Sequence, residues 1–165
     1  MLMRRRQGFV NRIRIFVFLL VSCVALSQFI PALVAAAHAQ SVSYAYDADG
    51  RLSAVADGSN NVAGYQYDQL GNLLGISRNT GVGFDVVPFA GSVNTQVAIY
   101  GLGFSATLNQ NTVKFNGTTA TVLSATPATN PTKLLVDVPS GASTGPVSVT
   151  TPSGSSTGTA SFKVN

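Results

Sequence analysis

Residues 83–165 alternate between apolar and polar side chains with a period of two, in short runs separated by Gly, Pro, Asn and Ser. This alternation is typical of β-strands with one buried face, and the stretch shows no helical period. The pattern therefore predicts an antiparallel β-sandwich. Its expected core residues stand two apart along the chain: Val97 and Ile99, Val113 and Phe115, Leu134, Val136 and Val138, Val147 and Val149, Phe162 and Val164.

A shorter stretch before it, from Ser41 to about Asn79, contains the same unit twice. Five residues of the first copy recur 21 positions later: Tyr44, Tyr46, Asp47, Gly50 and Leu52 match Tyr65, Tyr67, Asp68, Gly71 and Leu73. Asp and Gly are turn residues, and the flanking segments alternate as strands do. Each unit is therefore predicted to be a β-hairpin, and two hairpins form a ribbon whose outer strands are unpaired.

The N-terminal residues 1–39 have the layout of a secretory signal peptide, which we expect to form a helix. A basic stretch is followed by an apolar segment and by small residues at Ala37 and Ala39, which predicts cleavage between Ala39 and Gln40. Two alternatives remain open. The apolar segment is long enough for a retained membrane anchor, and "LVSC", ending at Cys23, resembles a lipobox that would make Cys23 a lipidated N-terminus.

Removal of the signal peptide changes the charge and the chemistry of the chain. Five basic residues and six aspartates remain, a formal net charge of −1, and the only Cys and the only His are lost. A chain without a basic face is not expected to bind nucleic acid. Without His, Cys or Glu, the candidates for catalysis are six aspartates and three lysines: Asp47, Asp49, Asp57, Asp68, Asp85, Asp137, Lys114, Lys133 and Lys163. We therefore expect no enzyme activity and no cofactor.

The aspartates of the first unit invite comparison with a calcium-binding loop. Asp47 and Asp49 fit the first two ligand positions of an EF-hand, but Gly50 and Arg51 follow too early and the chain has no Glu. Zinc sites also need ligands that the processed chain lacks. The sequence therefore predicts no metal site.

The pattern Y-x-Y-D-x-x-G-R/N-L resembles the YD repeats of the Rhs family and of teneurins, with Arg51 and Asn72 at the R/N position. In that family many repeats form a continuous β-sheet shell, and the resemblance implies carbohydrate binding or cell-surface contact. Two copies cannot close a shell. The repeat motif and possible ligand face comprise Tyr44, Tyr46, Asp47, Gly50, Arg51, Tyr65, Tyr67, Asp68, Gly71 and Asn72.

The two tyrosines of each unit are two residues apart and project from one face of their strand. We expect these rings to pack against the second domain, because large apolar groups are usually covered. The alternative is a platform on which a sugar or a protein partner stacks, because tyrosine combines apolar area with a hydroxyl group.

The C-terminal stretch resembles the IPT/TIG domain, an immunoglobulin-like fold, over nearly its whole length. The matching segments are Pro88 and Gly91, "VAIYGLGFS", "VKFNG", "VDVPSGASTGPVSVTTPSG" and "FKV". Tyr100 and Phe104, within the second segment, are expected in the core. In extracellular proteins the family implies a spacer or binding module.

Together these features predict an all-β chain with a signal peptide (1–39), two YD/Rhs-type repeats (40–80) and an IPT/TIG domain (81–165). The predicted function is that of a secreted or cell-surface binding or adhesion module, whose partner is a glycan or a β-rich protein. Membrane attachment is expected only if the signal segment is retained or Cys23 is lipidated. The alternative is a structural fragment of a larger Rhs shell protein with no binding role of its own.

Overall fold

The computed structural model describes residues 41–127 and 132–165, which form an all-β fold as predicted. The expected signal helix, Cys23 and the cleavage position between Ala39 and Gln40 lie outside these ranges. Within them, no helix is long and apolar enough to span a membrane. The one helical turn there is a 3₁₀ turn, Leu108–Gln110.

Four antiparallel strands, here called the repeat sheet, follow one another in chain order as a meander. They are β1 (Ser43–Tyr46), β2 (Leu52–Ala56), β3 (Asn61–Tyr67) and β4 (Leu73–Thr80). β1 pairs with β2 and β3 with β4, so each predicted unit is a hairpin. The two hairpins also pair with each other, but the ladder between β2 and β3 is confined to Ala54–Gly64, Val55–Ala63 and Ala56–Val62.

The remaining strands form two sheets that enclose one core, here called the sandwich. The strands are β5 (Gly83–Val87), β6 (Ala90–Gly91), β7 (Gln96–Leu102), β8 (Thr112–Phe115), β9 (Thr118–Ala120), β10 (Val122–Thr126), β11 (Lys133–Asp137), β12 (Gly145–Thr151) and β13 (Gly154–Val164). One sheet has the order β10-β11-β7-β5 and the other β6-β13-β12-β8-β9. All pairings are antiparallel except the short contact between β6 and β13.

The core of the sandwich is built from the alternating residues that the sequence indicates. All of the predicted core residues are buried, except Val164, which is partly buried and packs against the others. Phe115 and Phe162 meet edge to face, with ring centroids 4.9 Å apart and planes at 80°. Tyr100 and Phe104 are buried, as expected.

The inner face of the repeat sheet packs on β5, β7 and β13 of the sandwich, and the residues at its centre are small. Its central row consists of Ala45, Ala54, Gly64 and Ser77, which are paired across the four strands and buried. A Cβ atom placed on Gly64 would lie 2.6 Å from the backbone nitrogen of Phe84. The backbones of the two layers therefore approach more closely than ordinary sheets, which pack about 10 Å apart, and only glycine fits at this position.

Candidate functional site

Three turns of one construction connect the strands of the repeat sheet, at residues 47–51, 57–61 and 68–72. In each turn the N–H of the first residue, an aspartate, donates to the carbonyl of the fifth at 2.9–3.0 Å. The aspartate Oδ1 accepts the N–H groups of the third and fifth residues at 2.8–2.9 Å. The fourth residue has positive φ and is Gly50, Asn60 or Gly71. The aspartate thus replaces missing backbone partners, as in other Asx turns.

The middle turn was missed in the sequence, because Asn60 stands where the other two turns have glycine. Its signal is the Asp followed four residues later by Asn, which the turn at 68–72 shares. Asn is the non-glycine residue that tolerates positive φ best. The recurring element is therefore one strand and one turn, half the length of the 21-residue unit.

The second carboxylate oxygen of each aspartate holds the side chain of the fifth residue of its turn. Asp47 Oδ2 accepts from Arg51 Nε at 2.6 Å, and Asp57 and Asp68 accept from the amides of Asn61 and Asn72 at 2.8 and 2.9 Å. These side-chain bonds, with the backbone bonds, hold the pKa values of Asp57 and Asp68 below the usual range. Of the predicted ligand face, the following residues therefore lie within turn networks: Asp47, Gly50, Arg51, Asp68, Gly71 and Asn72.

The tyrosines of both units lie on the outer face of the repeat sheet. Tyr44 is 57% exposed and Tyr46 38%, whereas Tyr65 and Tyr67 are half-buried. Between them along the strands, Ala45 and Gln66 point inward, and Gln66 Oε1 accepts from Thr159 Oγ1 and from the N–H of Ala160. The expectation that the tyrosines pack against the second domain is wrong for Tyr44 and Tyr46, which are exposed, whereas Tyr67 lines a recess with Val86, Val87 and Pro88 of the sandwich.

The two hairpins meet at what we call the hairpin junction, formed by Arg51 and Leu52 of the first unit and Tyr67 and Asp68 of the second. Tyr67 donates its hydroxyl to the Leu52 carbonyl at 2.9 Å. The Arg51 guanidinium lies 5.2 Å from the centre of the Tyr67 ring and reaches the Asp68 carbonyl at 3.5 Å. Desolvation raises the pKa of Tyr67, so its hydroxyl stays protonated and able to donate.

Asp85, on β5 of the sandwich, reaches into the repeat sheet beside this junction. It is 1% exposed, and its Oδ1 accepts the N–H groups of Tyr67 at 3.3 Å and Val86 at 2.8 Å. Its Oδ2 is buried and has no hydrogen-bond partner among the described residues. Burial raises the pKa of Asp85 to about 6. The sequence does not distinguish Asp85 from the other aspartates, except that it interrupts the apolar run "FDVVPF".

The outer face also carries an open concavity of about 560 Å³ above Ala63. Its side chains combine an aromatic ring, a cation and hydrogen-bonding groups: Tyr65, Arg78, Asp57 and Asn61. Arg78 forms no salt bridge with any described residue, so its guanidinium is free to donate to a ligand. In the same part of the chain, no group of three or more His, Cys, Asp or Glu side chains is placed to hold a metal ion.

The two layers of this fold correspond to two known families. Residues 41–82 match the RHS repeat, and residues 85–164 match the IPT/TIG domain. Both resemblances seen in the sequence are thereby confirmed. The division of the first segment into two YD repeats stays a prediction, as does export.

No curated protein matches the chain. Among solved structures, an auxiliary nutrient binding protein from Bacteroides ovatus is 23% identical with a TM-score of 0.46, and one from Bacteroides thetaiotaomicron is 19% identical with a TM-score of 0.44. Each match covers 53% of this chain and 21% of the other. The chain thus spans about a fifth of the length of these proteins.

Proposed function

We propose that the protein is an exported, non-enzymatic binding module that holds a cell-surface glycan on the outer face of its repeat sheet. The observation that carries this proposal is the exposure of Tyr44 and Tyr46 on a face that the sandwich does not cover. Exposed aromatic rings with polar tips are suited to stacking on the apolar faces of sugars. The IPT/TIG match supports the role of a module that presents this face.

The concavity beside the tyrosines provides the polar part of such a site. Arg78 offers N–H donors and the side-chain amide oxygen of Asn61 offers an acceptor, so that neighbouring sugar hydroxyls find both donors and acceptors. Tyr65 lines the same concavity and supplies a ring for stacking. An apolar surface with a few convergent polar groups is the usual composition of a small-ligand site.

The absence of catalysis is part of the proposal and rests on the roles of the aspartates. Asp47, Asp57 and Asp68 each use both carboxylate oxygens within their own turns. Asp85 is buried between the layers, away from solvent. A general acid or base needs to reach the proton that it transfers, and none of these four carboxylates is free to do so.

The binding site is tested by alanine substitution on the outer face. We expect residues 40–165 to bind at least one glycan on a glycan array. Tyr44→Ala and Tyr65→Ala should each bind that glycan at least about tenfold more weakly, a loss of about 1.4 kcal/mol of binding free energy. Leu123→Ala, which removes an exposed apolar side chain on β10 of the sandwich, is the matched control and should bind normally. Equal binding by all four proteins would rule out the tyrosine face.

Export is tested by mass spectrometry of the protein recovered from the cell. We expect a chain that begins at Gln40. A diacylglycerol-modified Cys23 would instead establish a lipoprotein, and an intact N-terminus would establish a membrane anchor.

A second candidate function is that of a structural part of a larger RHS shell. The observation in its favour is that, among the strands that the structure describes, β1 and β4 each have a partner on one side only. A neighbouring reading frame rich in further YD units would support this alternative, and an isolated gene would support the independent module.

A further inference from the structure

The hairpin junction is formed once, although the chain contains each of its halves twice. The junction joins Arg51 and Leu52 of the first unit to Tyr67 and Asp68 of the second. Through the 21-residue offset, Tyr46 and Asp47 correspond to the second half, and Asn72 and Leu73 to the first. One complementary half therefore stands unused at each edge of the repeat sheet.

The side chains of the unused halves are exposed where their counterparts are covered. Tyr46 is more exposed than Tyr67, and its hydroxyl has no hydrogen-bond partner among the described residues. Leu73 is 51% exposed, whereas Leu52 is half-buried. Val42 and Leu74 add further exposed apolar area, one at each edge. The difference arises because, within residues 41–127 and 132–165, no strand lies beyond β1 or β4.

The backbone edge of β4 is also open. Of the described strands, β4 forms a ladder with β3 alone, and β13 lies beneath it rather than beside it. This placement follows from Gly75, because a Cβ atom built on its inner side would contact the side chain of Thr159 on β13. The sandwich thus covers the inner face of β4 and leaves its unpaired N–H and C=O groups available to another strand.

We infer that a second copy of this chain docks head to tail, with its β1 edge against the β4 edge of the first, and repeats the hairpin junction between molecules. In this arrangement the Tyr46 hydroxyl of one copy donates to the Leu73 carbonyl of the other, as Tyr67 donates to Leu52. Val42 comes to lie opposite Ile76, as Ala63 lies opposite Val55. Asn72 replaces Arg51, so the cation–π contact and the guanidinium bond to the Asp68 carbonyl are the two features that are not reproduced.

A second copy is the favoured occupant because the chain itself carries both complementary halves, with the same offset and on opposite edges. The residues beyond the signal segment have a formal net charge of −1, so repulsion between copies is small. The contact is heterologous, since each molecule offers one β1 edge and one β4 edge, and it therefore allows growth beyond a dimer.

The test uses residues 40–165, which form a compact unit of their own. In sedimentation experiments up to about 1 mM protein, a range that suits a small interface, we expect association that increases with concentration. Tyr46→Lys should disable the β1 edge and Leu73→Lys the β4 edge, because a charge on an edge strand opposes pairing. Each variant alone should associate at least about tenfold more weakly than the wild type.

Mixing the two variants distinguishes the head-to-tail contact from every symmetric one. Tyr46→Lys retains a working β4 edge and Leu73→Lys a working β1 edge, so the mixture should form a one-to-one pair and nothing larger. Dimers of Leu73→Lys alone would instead show that two β1 edges pair, and dimers of Tyr46→Lys alone would show the same for β4. A wild type that stays monomeric at every concentration overturns the inference outright.

Two further variants keep the result interpretable. If Tyr46→Lys fails to fold, as judged by thermal unfolding, Tyr46→Phe replaces it, because that change removes only the hydroxyl and should still weaken association measurably. Tyr65→Ala is the control on the same face: it lies on the inner strand β3 and should leave association unchanged. An equal loss in Tyr65→Ala would show that the outer face, not the edge, holds the second copy.

Discussion

Replacing Gly64 with valine is expected to destabilise the protein by about 3 kcal/mol, the upper part of the usual range for overpacking a buried position. The new side chain would have to occupy space 2.6 Å from the Phe84 nitrogen and 2.9 Å from Ser77 Oγ. Because the first of these is a backbone atom in β5, the strain can be relieved only by moving the repeat sheet away from the sandwich. Unfolding in urea measures the change in free energy.

The matched control for this substitution is Ala63→Val on the same strand. Ala63 lies next to Gly64 but faces the concavity on the outer side of the sheet, where there is room for two methyl groups. We expect Ala63→Val to change stability by less than about 0.5 kcal/mol, as is usual at open surface positions. If the two variants lose the same stability, the close contact between the layers is not what constrains Gly64.

Asp85 is expected to make the protein less stable as the pH rises from about 4 to about 6. Its folded-state pKa of about 6 lies above the ordinary value of 3.8, so the folded state binds the proton more tightly than the unfolded state does. The stability that this proton provides is fully present below about pH 4 and is lost as the pH passes the folded pKa. At about 1.4 kcal/mol per pKa unit, the full loss is on the order of 3 kcal/mol.

Asp85→Asn tests this directly, because the amide keeps an oxygen for the Tyr67 and Val86 N–H groups but cannot ionise. Between pH 4 and pH 7 the variant should show a flatter stability profile than the wild type. The pKa values of Asp57 and Asp68 are lowered, so their contribution is present above about pH 4 and is lost only in stronger acid, outside this window. A variant with the wild-type slope between pH 4 and pH 7 would show that another group is responsible.

The sequence predicts the strands of the sandwich well, because alternation with a period of two follows directly from burial of one strand face. Val97, Ile99, Leu134 and Val136 are all fully buried, as their spacing indicates. The hairpins of the repeat sheet could also be predicted, since Asp and Gly mark two of the three turns. Only the turn through Asn60 was missed, because asparagine gives a weaker signal for positive φ than glycine does.

The contact between the two layers could not be predicted from the sequence in the same way. Size alone predicts that tyrosines are buried, yet the central row of the repeat sheet, where it lies closest to the sandwich, consists only of Ala, Gly and Ser. Asp85 was not recognised as special because its partner, the Tyr67 N–H, comes from a strand 18 residues away in the other layer. Such pairing depends on three-dimensional placement and leaves no local pattern.

The role of Asp85 also constrains the order in which the chain can fold. The ladder between β2 and β3 stops before Tyr67. The Tyr67 N–H donates instead to the Asp85 carboxylate, on strand β5, which is synthesised later. The side-chain oxygen of Gln66 likewise accepts hydrogen bonds from Thr159 and Ala160, which lie on β13 near the C-terminus. The hydrogen bonds of the repeat sheet are thus complete only once β5 and β13 of the sandwich are in place.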